Sequence, residues 1–193
     1  MTRIVRSIVV FVLLLALPFN AVAGTIQHKN RVENLNVGGG VCWWACCDMV
    51  SREINANAKG IRDVVIENGY GAEAGAAPWH IYFWLWETNT RYKAIELDRN
   101  AEWLEENIAL GHTPIVVVNM DDGWGGIVCH AIILVDIKVD DGIKYVQYVD
   151  PNYISMDFVV PFDDFYQGWI GTACVILPGK LFPDEPIMVM PND

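Results

Sequence analysis

Positive charge is scarce in this sequence. Its 193 residues hold 13 Lys and Arg against 24 Asp and Glu, a formal net charge of −11. A surface that holds nucleic acid or an anionic membrane needs the opposite sign, so both are disfavoured as partners. The acidity also argues against anionic substrates. Metal-site patterns are missing: there is no Cys-x-x-Cys, and the histidines and cysteines do not cluster at zinc-ligand spacing. No metal or organic cofactor is expected. Long apolar runs are absent as well. The run from Ile8 to Pro18 is 11 residues, where a bilayer-spanning helix needs about 20. No internal repeat or long linker divides the chain, and its length fits one domain.

The N-terminus carries an export pattern instead. Arg3 and Arg6 form a basic segment, the apolar run follows, and Ala21-Val22-Ala23 places small residues where a signal peptidase reads them. Residues 1–23 are therefore expected to be a signal peptide cut before Gly24, with no stable membrane span after cleavage. Residues 24–193 then form one domain, with 178–193, which holds four prolines, as a C-terminal extension over its surface. Losing the two arginines takes the formal charge from −11 to −13. Secretion, or a bacterial periplasm, is the expected location.

Export brings Cys42, Cys46, Cys47, Cys129 and Cys174 into an oxidising compartment. An odd count leaves at least one thiol out of intramolecular pairing. Cys46 and Cys47 are neighbours and a poor pair. If two bridges form without Cys42, each neighbour pairs with Cys129 or Cys174, and two connectivities stay open.

Helical patterning comes first. Gly38-Gly39-Gly40 reads as a loop feeding a helix from Val41 to about Asn55, with Trp43, Cys47, Val50 and Ile54 on one stripe and Cys46 beside it. Its first turns read as buried, and Ser51, Arg52 and Glu53 as approaching solvent. A short helix over Ile61 to Glu67 stops at Asn68-Gly69. Residues 76–93 are rich in aromatics but give no local structure; core packing is preferred to a substrate groove. Asp98 or Asn100 caps a helix that buries Trp103, Leu104, Ile108 and Leu110 and ends at Gly111. Strands follow at Pro114 to Val118, Ile127 to Val135 and Ile143 to Val149, the last two joined by an Asp140-Asp141-Gly142 turn. Further short strands fit Phe158 to Val160 and Ala173 to Leu177, with a helical turn at Asp163 to Tyr166. The terminal Ile187 to Met190 patch packs back or adds an edge strand. Helices first and an antiparallel sheet afterwards predict an α+β domain.

The chemistry centres on Cys42. A cysteine at a helix start faces unpaired amides and the positive end of the helix, which favour thiolate over thiol. Cys46 and Cys47 lie a turn deeper and are expected to point away from that entrance. His130 sits in the apolar strand Ile127 to Ile133, on the opposite face from Cys129. Paired with Cys42, an imidazole removes the thiol proton and later protonates an amine leaving group. Asp150 follows the next strand and is placed to accept the distal ring proton and hold the tautomer. Asp136, six residues along from His130, is too distant. The Cys42 N–H and the Asn36 side-chain amide are candidate donors to an oxyanion. His28, His80 and His112 lack comparable partners, and His112 is expected to face solvent.

These positions resemble papain-like cysteine peptidases, especially the compact bacterial C39-like group. The blocks that carry the resemblance are Cys42-Trp43-Trp44-Ala45, Gly111 to Val118, His130 to Val135 and Tyr148-Val149-Asp150-Pro151, within residues 33–177. The resemblance implies a papain-like fold, with Cys42 as nucleophile, His130 as base and Asp150 orienting it, acting on a peptide or protein substrate. The family's usual glutamine six residues before the nucleophile is Asn36 here, shorter by one methylene. Cys129 beside the histidine and the lack of a glycine after the histidine strand also depart from the pattern. Rival readings are a peptidoglycan amidase or transamidase with the same chemistry, and an inactive papain-like binding module.

Overall fold

A computed structural model describes residues 41–58, 60–70, 77–121, 125–153 and 157–182. In chain order the elements are α1 (Cys42–Ile54), α2 (Ile61–Glu67), α3 (Pro78–Glu87), β1 (Thr90–Ile95), α4 (Ala101–Ala109), β2 (Ile115–Asp121), β3 (Ile127–Asp140), β4 (Ile143–Val149), β5 (Asp157–Pro161), α5 (Phe162–Gly168) and β6 (Trp169–Lys180). The fold is α+β. Its six strands form one antiparallel sheet in the order β1-β6-β2-β3-β4-β5.

Helices cover both faces of the sheet. On one side Trp43, Trp44, Cys47, Met49 and Val50 of α1, with Trp84 and Leu85 of α3, pack on Ala131, Ile133, Val149 and Ile176. On the other, Leu104 of α4 and Phe165 of α5 pack on Val116, Val118, Ile132, Leu134 and Val146. Successive side chains of β3 thus enter alternate cores. This is why its sequence is an apolar run without polar alternation: both faces are covered.

Several boundaries move. The aromatic stretch becomes α3 followed by β1, and it divides between core and surface. Ile81, Trp84 and Leu85 are buried, while Trp79, Phe83 and Trp86 are half exposed or more. β1 precedes α4, so the helices-then-sheet order is broken, and β6 inserts between β1 and β2. Pro178, Gly179 and Lys180 continue β6, with Lys180 opposite Thr90. Residues 183–193, including the Ile187 to Met190 patch, lie outside the described residues, as does the segment 1–40 with its signal-peptide pattern. Ser51 is buried, not solvent-facing, and Leu110 and Ile54 are exposed, not packed.

Local chemistry explains the turns. Asn100, of the two proposed caps, accepts the Trp103 N–H at 2.9 Å. Asp141 and Gly142 take φ of 48° and 79°, the two left-handed positions of a tight hairpin. Gly171 has φ 94°, and a Cβ there would stand 3.0 Å from the Leu97 backbone, so only glycine lets β6 pass that loop.

Asp48 ties α1 to α2: its buried carboxylate accepts the Ile61 N–H at 2.7 Å. Burial outweighs that bond and Arg52, and pushes its pKa from 3.8 up to about 6. The folded state therefore holds this proton more tightly than the unfolded chain. The stability it confers is complete below the unfolded pKa and is lost as pH rises through about 6. Two units at ~1.4 kcal/mol each amount to about 3 kcal/mol. Asp48→Asn keeps an oxygen for Ile61 and cannot ionise. In denaturant unfolding, its stability relative to wild type is expected to rise by about 2–3 kcal/mol between pH 4 and 7; a constant difference across that range would refute the assignment.

Candidate active site

β3 and β4 pair only from Ile133 opposite Val149 onward, because the chain turns away at Asp150-Pro151. The next N–H and C=O of β3 on that side are those of Ala131, and the first turn of α1 occupies the space. The Ala131 N–H donates to Cys42 Sγ at 3.4 Å, and the Cys46 thiol donates to the Ala131 carbonyl at 3.3 Å. Residues four apart lie on one side of a helix, and the N–H and C=O of one strand residue point the same way. Two cysteines one turn apart therefore grip the N–H and the C=O of a single strand residue. Cys46 lies one turn deeper than Cys42 on the same side of the helix and, like Cys47, is fully buried, away from the entrance.

The same contact brings His130 to Cys42. His130 is 6% exposed, and its Nε2 lies 2.9 Å from Asp150 Oδ1. The other ring nitrogen is left for the hydrogen bond with the Cys42 thiol. Asp150 is itself fixed: Oδ1 also accepts the Asn152 N–H at 2.8 Å, and its carbonyl accepts the Tyr153 N–H at 3.0 Å. A charge-assisted hydrogen bond to a buried carboxylate is worth about 1.5–3 kcal/mol, enough to hold the ring in one orientation.

The two cysteines of the grip differ in electrostatics. Burial raises the Cys42 pKa, but the His130 hydrogen bond and charge, with the Ala131 and Trp43 amides, bring it below the ordinary 9.0. Burial likewise lowers His130, and hydrogen bonds to Asp150 and Cys42 reverse this, carrying it up to about 9. The pair is therefore poised as thiolate and imidazolium over a range below about pH 9. Cys46, fully buried and without a cation, is pushed well above 9 and stays a neutral donor.

Cys42 is half-buried, in part open to solvent, and all five cysteines are free thiols. Neither of the two disulfide connectivities that the cysteine count left open is present. Cys46, Cys47 and Cys174 are buried in the core, and Cys129 is exposed near the start of β3, beside the Asn119 side chain.

The remaining candidates fall elsewhere. Asn36 and His28 lie outside the described residues. His80 accepts the Ala77 N–H at the start of α3. His112 is half-buried and bonds Asn107 through Nδ1 at 3.1 Å, not free in solvent. Asp136 lies 3.9 Å from Lys138 and takes no part. Among the described residues no three His, Cys, Asp or Glu side chains gather as a metal site, and no helix is long and apolar enough to cross a membrane. The backbone of Ala131 is the contributor that side-chain chemistry could not announce; the four-residue spacing of Cys42 and Cys46 was its one trace.

No protein-family model matches the chain, and no curated protein matches it significantly. Among solved structures the chain is similar to a Bacillus anthracis protein provisionally named a C39-like peptidase. The TM-score is 0.52 and the identity 14%, over 79% of this chain and 96% of that one. The likeness is one of fold.

Removing His130 deletes the main influences that lower the Cys42 pKa and leaves desolvation, which raises it. In His130→Ala, the alkylation midpoint of Cys42 with iodoacetamide, followed by peptide mass mapping, is expected to move above 9. A shift of one unit or more slows the reaction at pH 7 by about tenfold. An unmoved midpoint would show that the two groups are not coupled.

Proposed function

We propose that this chain is an exported cysteine peptidase of papain-like fold, acting through Cys42, His130 and Asp150. The observation that carries the reading is the alignment of a half-exposed, acidified thiol at a helix start with a buried imidazole held by a buried carboxylate. A core histidine that served packing alone would need neither a charged partner nor a reachable thiol. A remnant turned over to structure would have Cys42 bridged or sealed away, and it is neither.

In the proposed reaction the Cys42 thiolate adds to the peptide carbonyl carbon, and the carbonyl electron pair moves onto oxygen. The Cys42 N–H and the Asn36 amide are the proposed donors to that oxyanion. As the oxygen pair returns, the C–N bond breaks and the His130 imidazolium gives its proton to the departing nitrogen. A thioester remains on Cys42. Neutral His130 then takes a proton from water as the hydroxide adds. Collapse breaks the C–S bond, releases the carboxylic acid and restores the thiolate–imidazolium pair. Asp150 keeps the ring in place and stabilises its charged form throughout.

Cys42→Ala is expected to reduce thiol-dependent peptide hydrolysis to background while the circular dichroism spectrum is retained. Full hydrolysis by the folded variant would reject the nucleophile. Asp150→Asn retains an acceptor for Nε2 but loses the charge that raises His130. Its pH–rate profile is expected to keep its shape while the alkaline limb, set near 9 in the wild type, moves to lower pH. An unshifted limb would mean that the carboxylate charge does not act on His130.

A further inference from the structure

The sheet places a second feature beside the His130–Asp150 pair. A pocket of about 200 Å³ opens on the α5 side, lined by Val118, Met120, Ile132, Tyr148, Val160 and Phe165. Val118 stands directly opposite His130 in the β2–β3 ladder, so their side chains share a face, and Ile132 is the next residue of β3 on that face. Tyr148 precedes Asp150 by two residues and lies within the field of its carboxylate. The start of β3, the end of β2 and the end of β4 all fall at one end of this antiparallel sheet. The pocket therefore lies on the face of β3 that carries His130, the side away from α1, with Val118 and Ile132 of its lining next to the imidazole's strand position.

Size and lining limit what fits. At ~30 Å³ per water the space holds roughly six or seven waters, below the range of about 300–1,000 Å³ typical of whole small-molecule sites. One large side chain suits it better than a complete ligand. The lining is mainly apolar. Its polar members, Asn119 and Asp164, are exposed, and no cation among the described residues forms an ion pair with Asp164.

Resting on the peptidase reading, we infer that this pocket selects the substrate by taking a large apolar side chain from the leaving-amine side of the cleaved bond. The thiolate bonds the carbonyl carbon and His130 delivers its proton to the departing nitrogen. The residue that carries that nitrogen therefore extends past the imidazole, toward Val118 and Ile132. A carboxylate at the mouth repels an acidic side chain there.

The test uses the full chain and fluorescence-quenched peptides that vary the residue after the cleaved bond among Ala, Leu, Phe and Glu. Leu or Phe is expected to exceed Ala in kcat/KM by about tenfold or more, with Glu below Ala. Gly168 lines the pocket, and a Cβ there meets only the Asn119 carbonyl at 3.5 Å, an ordinary contact. Gly168→Leu narrows the space and is expected to bring the Leu-to-Ala ratio close to one. Val160→Phe, on edge strand β5, tests the same space should Gly168→Leu fail to fold. A wild-type preference for Ala, or a ratio unchanged in a folded narrowing variant, overturns the pocket while Cys42-dependent hydrolysis still stands. No cleavage of any peptide, or cleavage that survives Cys42→Ala, overturns the peptidase reading and the pocket with it.

Discussion

The N–H and C=O of Ala131 have no strand partner on the β4 side, and the first turn of α1 takes the place of one. An unmet N–H and C=O in a buried strand would each cost about 1–3 kcal/mol; here one is met by the Cys42 sulfur and the other by the Cys46 thiol. That single docking contact fixes the register of the helix along β3. It sets Cys42 beside His130 at the end of the sheet where β4 stops and Asp150 begins. The large aromatic core around Trp43, Trp44 and Trp84 holds α1 against the sheet, but it is non-directional. The Ala131 contact is what gives the packing its alignment.

The same contact separates two chemically identical side chains. Cys42 meets the N–H and Cys46 the C=O of one strand residue, so one must accept and the other donate. Cys42, facing amides and an imidazole, is stabilised as an anion. Cys46, facing a carbonyl in a sealed core, is held neutral. Reactivity at this site is thus a matter of which backbone atom each sulfur meets and whether solvent reaches it, and not of residue type. The proposed specificity pocket extends the same logic to the opposite face of β3, where the residues flanking His130 turn toward α5.

Much of this was legible in the residues. The 3.6-residue stripe gave α1, the Asn100 cap and Gly111 bounded α4, and the Asp140-Asp141-Gly142 turn gave the β3–β4 hairpin that sets Asp150 near His130. Short-range chemistry decides all of these. β1 and the position of β6 were not legible, because Thr90 to Ile95 shows no strong alternation and its pairing partner lies some 80 residues later. The exposure of Ile54 and Leu110, and the burial of Ser51, depend on what packs against each helix, which periodicity within that helix does not contain.

The sequence by itself determined the kinds of chemistry available: a thiol at a helix start, an imidazole within an apolar strand, a carboxylate after the next one. These follow from local dihedral and capping preferences, which act over a few residues. Only the tertiary structure decided that Cys46 lies under Cys42, that the five thiols stay free, and that a strand's backbone completes the site. Those outcomes depend on how a helix meets an inner strand more than 80 residues away in the chain, a relation that no window of sequence encodes.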